Sequence, residues 1–266
     1  GYDRLALDTS LPVNVVNQDD LAERVAQTMS DVLAGEPGVD ASTTGTGSVR
    51  PMIRGLFDER VLILVDGLRL SEQRPGGNHI LSLDPAQIAS VEVVRGPASV
   101  LYGSDAIGGV MNVITRKEER RTDPGWRVGL EQDVAYESAT SGWKSTSHAT
   151  FGSGRFNGFA GGFYRDAENL ETADGEIPHS FYRGGALWGG GAWEGDRWRA
   201  RVGYTFMQAD IGIPANDQVF LADYFDDETH HHLTGRLVRD GGDGLVREFR
   251  LDAGWQRHER NRYRLR

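Results

Sequence analysis

Three groups of side chains in this 266-residue chain have types and spacings that can do chemistry. The first is His230-His231-His232, which follows the acidic run LADYFDDET. Successive strand residues point to opposite faces, so His230 and His232 share one face and His231 opposes them. Two imidazoles on one face suit zinc, copper or haem iron. A solvated polar run at a strand start is the competing reading. The second group is DAENLETADGEIP (166–178), where Asp166, Glu168, Glu171, Asp174 and Glu176 put five carboxylates within eleven residues. Oxygen-rich clusters are what Ca²⁺ prefers, although the spacing is not that of an EF-hand. The third is SEQRPGGNHILS (71–82), in which His79 can serve iron as a neutral imidazole, with Arg74 and Asn78 as polar partners. A lone loop histidine is also simply a solvated one.

The remaining composition narrows what such groups can be part of. There are no cysteines, which removes disulfides, thiol catalysis and cysteine metal sites together. No G-x-S-x-G, H-E-x-x-H or P-loop occurs, and the serine of YGSDAIGG has no neighbouring histidine, so binding rather than bond-making is expected and the chain does not read as an enzyme. The net charge of -10 and pI near 5.2 argue against a nucleic-acid groove. No apolar run approaches the roughly 18 residues of a membrane helix, the longest being Val61 to Val65. Strands of a membrane barrel are not excluded, since they need only about 9–11 residues of alternating polarity. The 35 glycines, above the usual share of about 7%, fit turn-rich or barrel-forming β-structure.

The elements that must position these groups fall into two grammars. Up to about Arg121 they are short and mixed. LPVNVV (11–16) alternates like a strand. Leu21, Val25, Met29, Val32 and Leu33 then have helical spacing, with Asp19 or Asp20 as N-cap and Gly35 and Pro37 as stop signals. VLILVDG is a buried strand closed by an Asp-Gly turn, and DPAQIASVEVVRG is a short helix begun at Asp84-Pro85 that feeds another strand. This is a small α+β unit. After about Trp126 come seven alternating segments, near 126–136, 143–151, 156–164, 181–192, 198–206, 230–238 and 245–255. WRARVGYTF is typical, setting Trp198, Ala200, Val202, Tyr204 and Phe206 against Arg199, Arg201, Gly203 and Thr205. Tight connections (GSGR, EGDR, DGGDG) alternate with long ones at 166–178 and 207–228, and aromatic residues gather at strand ends. A soluble sandwich also alternates, but short turns opposite long loops and aromatic ends favour outer-membrane strands.

DVLAGEPGV (31–39), MIRG (52–55), VLILVDGLRL (61–70) and LDPAQIASVEVVRGPASVLYGSDAIGGVMNVITRK (83–117) resemble, in order and spacing, the plug domain of TonB-dependent outer-membrane receptors. The resemblance implies an α+β plug, here residues 1–121, followed by antiparallel transmembrane β-barrel strands in 122–266. The family barrel is 22-stranded, so about seven strands are an incomplete, N-terminal part of it. It implies residence in the bacterial outer membrane in contact with lipid, a plug exposed to the periplasm, and TonB with its inner-membrane energising complex as partner. The TonB-binding segment is expected upstream of Gly1. It implies a charge lock of Arg54, Glu92 and Arg95 between plug and barrel wall, plug turns at Gly103, Gly108 and Gly109, and ligand contact by the loop of Arg74, Asn78 and His79. The cargo expected is a scarce metal-containing nutrient, haem or another iron complex such as a ferric siderophore, with no cofactor required. Calcium-assisted cobalamin uptake is the alternative, as is a ligand-sensing or adhesive receptor that moves nothing.

Overall fold

A computed structural model describes residues 13–23, 28–44, 46–70, 83–96, 98, 102, 106–117, 125–214, 224–241 and 247–264. Its contacts divide the chain into two units, one built mainly from residues up to Arg116 and one from residues beyond it.

The first unit contains β1 (Val13–Asn17), α1 (Gln18–Glu23), α2 (Met29–Leu33), β2 (Val39–Thr44), β3 (Ser48–Ile53), β4 (Val61–Val65), β5 (Leu68–Arg69), β6 (Ile88–Arg95) and β7 (Gly109–Thr115). Five of these form a sheet in the order β1-β6-β7-β4-β5, and β2 pairs with β3 separately. Strands β4 and β7 run parallel. Every residue of β4 is buried. Val61, Ile63 and Val65 enter one apolar cluster with Val91, Val93, Met111 and the α2 residues Val32 and Leu33, while Leu62 and Leu64 join Val94 and Val110 in another. A strand covered on both faces has no polar side to alternate with, which is why VLILV reads as a continuous apolar run.

The single helix expected from Asp19 onward is instead two short ones. Asn17 starts α1: the Asp20 N–H donates to Asn17 Oδ1 at 3.1 Å and the Asn17 N–H donates to Asp20 Oδ2 at 2.9 Å. Thr28 is extended, with φ -134, and starts α2 by the same reciprocal arrangement with Asp31. Capping side chains compete with helix interior at both positions, and apolar spacing carries no trace of that competition. The Asp-Gly turn is as expected. Asp66 and Gly67 have φ of 52 and 80, as a two-residue hairpin between β4 and β5 requires. The Asp66 carboxylate accepts from the Thr115 hydroxyl at 2.6 Å and the Thr115 N–H at 3.1 Å, which ties the turn to β7.

The second unit contains β8 (Arg127–Glu137), β9 (Gly142–Ser153), β10 (Phe156–Ala167), β11 (Leu170–Thr172), β12 (Gly175–Ile177), β13 (Tyr182–Glu194), β14 (Trp198–Ile213), β15 (Tyr224–Asp240) and β16 (Glu248–Arg264). Seven of them form an antiparallel meander in chain order, with the small β11–β12 hairpin inserted after β10. One face is apolar and exposed, and carries Leu187, Val202, Leu233 and Leu251. Phe156, Trp193 and Trp198 border it near the tight turns, and Trp143, Tyr164 and Tyr204 border it towards the other end. The opposite face buries Lys144, Thr146, His148 and Arg165 beside Phe159, Phe163, Trp188 and Met207. A soluble sheet does not leave a continuous apolar face exposed, so this exposed band with its aromatic borders is that of a lipid-facing barrel wall. No helix among the described residues is long and apolar enough to cross a membrane.

Three strand ends differ from the sequence reading. Strand β14 continues to Ile213 and β15 starts at Tyr224, so the connection expected over 207–228 is shorter, and β16 runs on to Arg264 rather than stopping near 255. At the start of β15 and the end of β16 the strand extends past the apolar band, where both faces are polar and the two-residue period disappears from the sequence. The end of β14 keeps the period with its faces exchanged, Met207, Ala209, Ile211 and Ile213 being buried while Gln208 and Asp210 are exposed.

Candidate functional site

Among the described residues, the far end of the β15–β16 hairpin gathers the densest set of ionisable groups. Its register pairs Asp226 with Arg262, Glu228 with Arg260 and His230 with His258, so all six side chains lie on the polar face. Asp226, Glu228 and His230 are buried, at 1%, 1% and 4% exposure. Arg260 and Arg262 both bind the Asp226 carboxylate, Arg262 through two nitrogens at 2.8 and 3.0 Å. The Nε of Arg260 stands 3.3 Å from Glu228 Oε1, while His230 Nε2 lies 3.1 Å and His258 Nε2 3.6 Å from Glu228 Oε2. The two imidazole rings stack with centroids 4.0 Å apart.

Side chains facing outward at this level are Asp227, Thr229, Glu259 and Asn261, so the cluster stands beyond the apolar band. Burial alone would raise the Glu228 carboxyl. The hydrogen bond from His230, the approach of His258 and the charge of Arg260 overrule that and bring it to about 2. The result is a fixed carboxylate against two imidazoles. Glu228, His230 and His258 place one donor atom each within 4.8 Å of one another, a spacing a metal ion can bridge.

His230 thus meets His258 rather than His232. Residues two apart on a strand are separated by about 6.6 Å along it, whereas directly opposed residues on paired strands are only about 4.5–5.5 Å apart. His232 pairs in register with Gln256, and His231 faces outward among Phe206, Trp255 and the Tyr204 hydroxyl, which lies 2.8 Å from its Nδ1. Sequence reasoning passed over Asp226, Glu228, His258, Arg260 and Arg262. Alternation in HERNRYR puts its histidine and all three of its arginines on one face, but the register that brings them to Glu228 is not written locally.

The five carboxylates of 166–176 do not converge. Asp166 faces Arg183, whose Nε lies 3.2 Å from both its oxygens. Glu171 and Glu176 oppose each other in the β11–β12 hairpin, where Glu176 accepts from Asn169 at 2.6 Å, and Asp174 sits in the turn. Among the described residues no three of these carboxylates come within 4.8 Å of one another, whereas a calcium loop would have to wrap them around one ion.

In the first unit, Glu92 is buried and accepts from Asn112 Nδ2 at 3.3 Å, whereas Arg95 extends from the opposite face of β6 and donates to the Pro37 carbonyl at 2.9 Å. These two therefore do not pair with each other. Arg54, at φ 53, and Arg95 both approach Gly38. Gly108 and Gly109 lead into β7, and the Gly108 N–H donates to the Arg60 carbonyl at 2.7 Å. Gly103, Arg74, Asn78 and His79 lie outside the described residues.

Comparison with known proteins agrees with this architecture. Residues 6–110 match the family described as TonB-dependent Receptor Plug Domain. The chain is 40% identical over 151 residues to the iron-regulated outer membrane virulence protein of Vibrio cholerae serotype O1, a match covering 53% of the chain and 22% of that protein. Among solved structures, the copper transporter OprC superposes with a TM-score of 0.75 at 18% identity, over 92% of this chain and 37% of that one. The hemophore receptor HasR of Serratia marcescens, solved with its hemophore HasA and heme, gives 0.75 at 15% identity over 97% and 39%. The siderophore receptor PirA of Pseudomonas aeruginosa gives 0.64 at 22% identity over 94% and 41%. At these identities the solved structures speak for the fold.

Proposed function

The chain belongs to the TonB-dependent outer-membrane receptors, and on that premise we propose that the whole protein takes up a scarce metal-containing nutrient, haem or another iron complex, with energy delivered through TonB. The observation that carries this reading is a plug domain followed by a sheet with an exposed face that is apolar and aromatic-bordered and an opposite face that buries charged groups such as Lys144 and Arg165. A plug-bearing receptor binds its cargo and is pulled open. The described residues offer it donors and charges. Iron as the metal is supported by the names of its relatives, an iron-regulated outer membrane protein and receptors for siderophore and heme. In this reading the plug faces the periplasm, TonB pairs with a segment near the receptor's N-terminus by adding a strand, and calcium is not needed. Arg54, Glu92 and Arg95 supply plug charges for the barrel wall, since charge withdrawn from water is kept only when paired. Leakage of small solutes unchanged by joint Arg54→Ala and Arg95→Ala replacement would remove that lock.

Titration of the full-length receptor with haemin, with a ferric siderophore and cobalamin as competitors, tests the cargo. A Soret shift that disappears in His79→Ala is expected for haem with an axial plug histidine. A spectrum identical in parent and variant removes the histidine from the site, and tight cobalamin binding with neither iron ligand bound overturns the iron reading.

A further inference from the structure

We propose that Glu228, His230 and His258 bind one divalent transition-metal ion of the zinc class, which clamps the two strands of the β15–β16 hairpin together. The donor set decides the class of ion. Two imidazoles and one carboxylate without thiolate suit zinc and its neighbours, whereas calcium and magnesium require oxygen donors throughout.

The geometry is close to what such an ion needs. With bonds of about 2.0–2.1 Å, a tetrahedral ion holds its ligand atoms roughly 3.4 Å apart. Glu228 Oε2 already stands 3.1 Å from His230 Nε2 and 3.6 Å from His258 Nε2. All three donors lie within 4.8 Å of one another, so closure asks mainly that the stacked rings splay until their lone pairs converge. His258 Nε2 is buried and makes no hydrogen bond, which leaves that nitrogen for an ion.

The surroundings behave as a supporting layer. Arg260 lies against Oε1 of Glu228, so the carboxylate presents Oε2 to the imidazoles as a single donor. Asp226 is engaged by Arg260 and Arg262 and does not compete as a fourth ligand. Groups that orient metal ligands in this way are part of how a site gains affinity. The donors come from both strands, His230 and His258 being register partners, so the ion would join the strands at the end of the hairpin away from its turn.

The test uses the full-length receptor in detergent, stripped with chelator and titrated with Co²⁺ for its visible d–d bands and with Zn²⁺ by calorimetry. One equivalent of either ion is expected to bind at this site. Glu228→Gln, His258→Ala and the size-preserving His258→Gln should each weaken binding by at least about ten-fold, the scale seen for losing even an indirect supporter of a metal site. His232→Ala, on the same face one pair further along, should stay within about two-fold. Heat-modifiable migration in gels verifies that each variant forms a barrel, and Zn²⁺ should raise the Tm of the parent but not of either His258 variant. Absence of stoichiometric binding by the parent overturns the proposal, as does unchanged affinity in both His258 variants or an equal loss in His232→Ala. The proposal stands or falls separately from the cargo, because the haemin titration reads the Soret band and this one reads cobalt bands and heat.

Discussion

Gly109→Ala is expected to loosen the plug of the full-length receptor enough for protease to cut it while the barrel stays intact. Gly109 opens β7 between β6 and β4, and a Cβ there would stand 2.4 Å from the Val94 carbonyl oxygen and 2.9 Å from Ile53 Cδ1. A backbone oxygen in a three-strand ladder has nowhere to retreat, so relief must come from separating strands whose side chains form both apolar clusters of this unit. Forcing a methyl into such packing costs about 1–3 kcal/mol. Gly125→Ala is the control, since nothing lies within 4 Å of a Cβ there, and its effect should remain within about 0.5 kcal/mol. Denaturant unfolding followed by a plug-specific proteolytic fragment gives the comparison. Equal resistance of the Gly109→Ala receptor and its parent would mean that β4, β6 and β7 do not meet as described.

Val202→Arg should largely abolish insertion of the receptor into the outer membrane. Val202 lies midway along the exposed face of β14, between the aromatic borders marked by Trp198 and Tyr204, and is 53% exposed. Water would welcome an arginine at such a position, whereas lipid at the midplane of a barrel wall penalises it by about 2–4 kcal/mol. Val202→Leu keeps the face apolar and should insert like the parent. The heat-modifiable fraction recovered from outer membranes measures both. Full insertion of the arginine variant would place this face in water and return the second unit to a soluble β-fold.

Much of this architecture is legible in the sequence because lipid and a double-sided core impose strong periodicities. All seven wall strands were locatable from alternation, and VLILVDG announced both a buried strand and its hairpin turn. Where one face does not differ from the other, the signal fails. The distal ends of β15 and β16 carry polar side chains on both faces and read as loop, and the end of β14 is missed because its apolar residues change to the opposite face. The helix break at Thr28 hides because a cap is local hydrogen bonding, while Leu21, Val25, Met29 and Val32 keep helical spacing across it. The candidate site shows the same limit in another form. His230 is conspicuous in its triplet and Glu228 shares its face two residues earlier, but His258 is found only through a pairing that spans 28 residues of chain. Register depends on the whole hairpin, and no short window of residues encodes it.

Energised uptake is the direct test of the account. Iron-starved cells lacking other iron receptors, expressing the full-length protein with and without TonB, would be given radiolabelled iron as haem and as a ferric siderophore. The account predicts accumulation of at least one of these inside cells only when receptor and TonB are both present. Label that binds to the cell surface but never accumulates in TonB-containing cells would contradict it, and would make the protein a receptor that senses or adheres without transport.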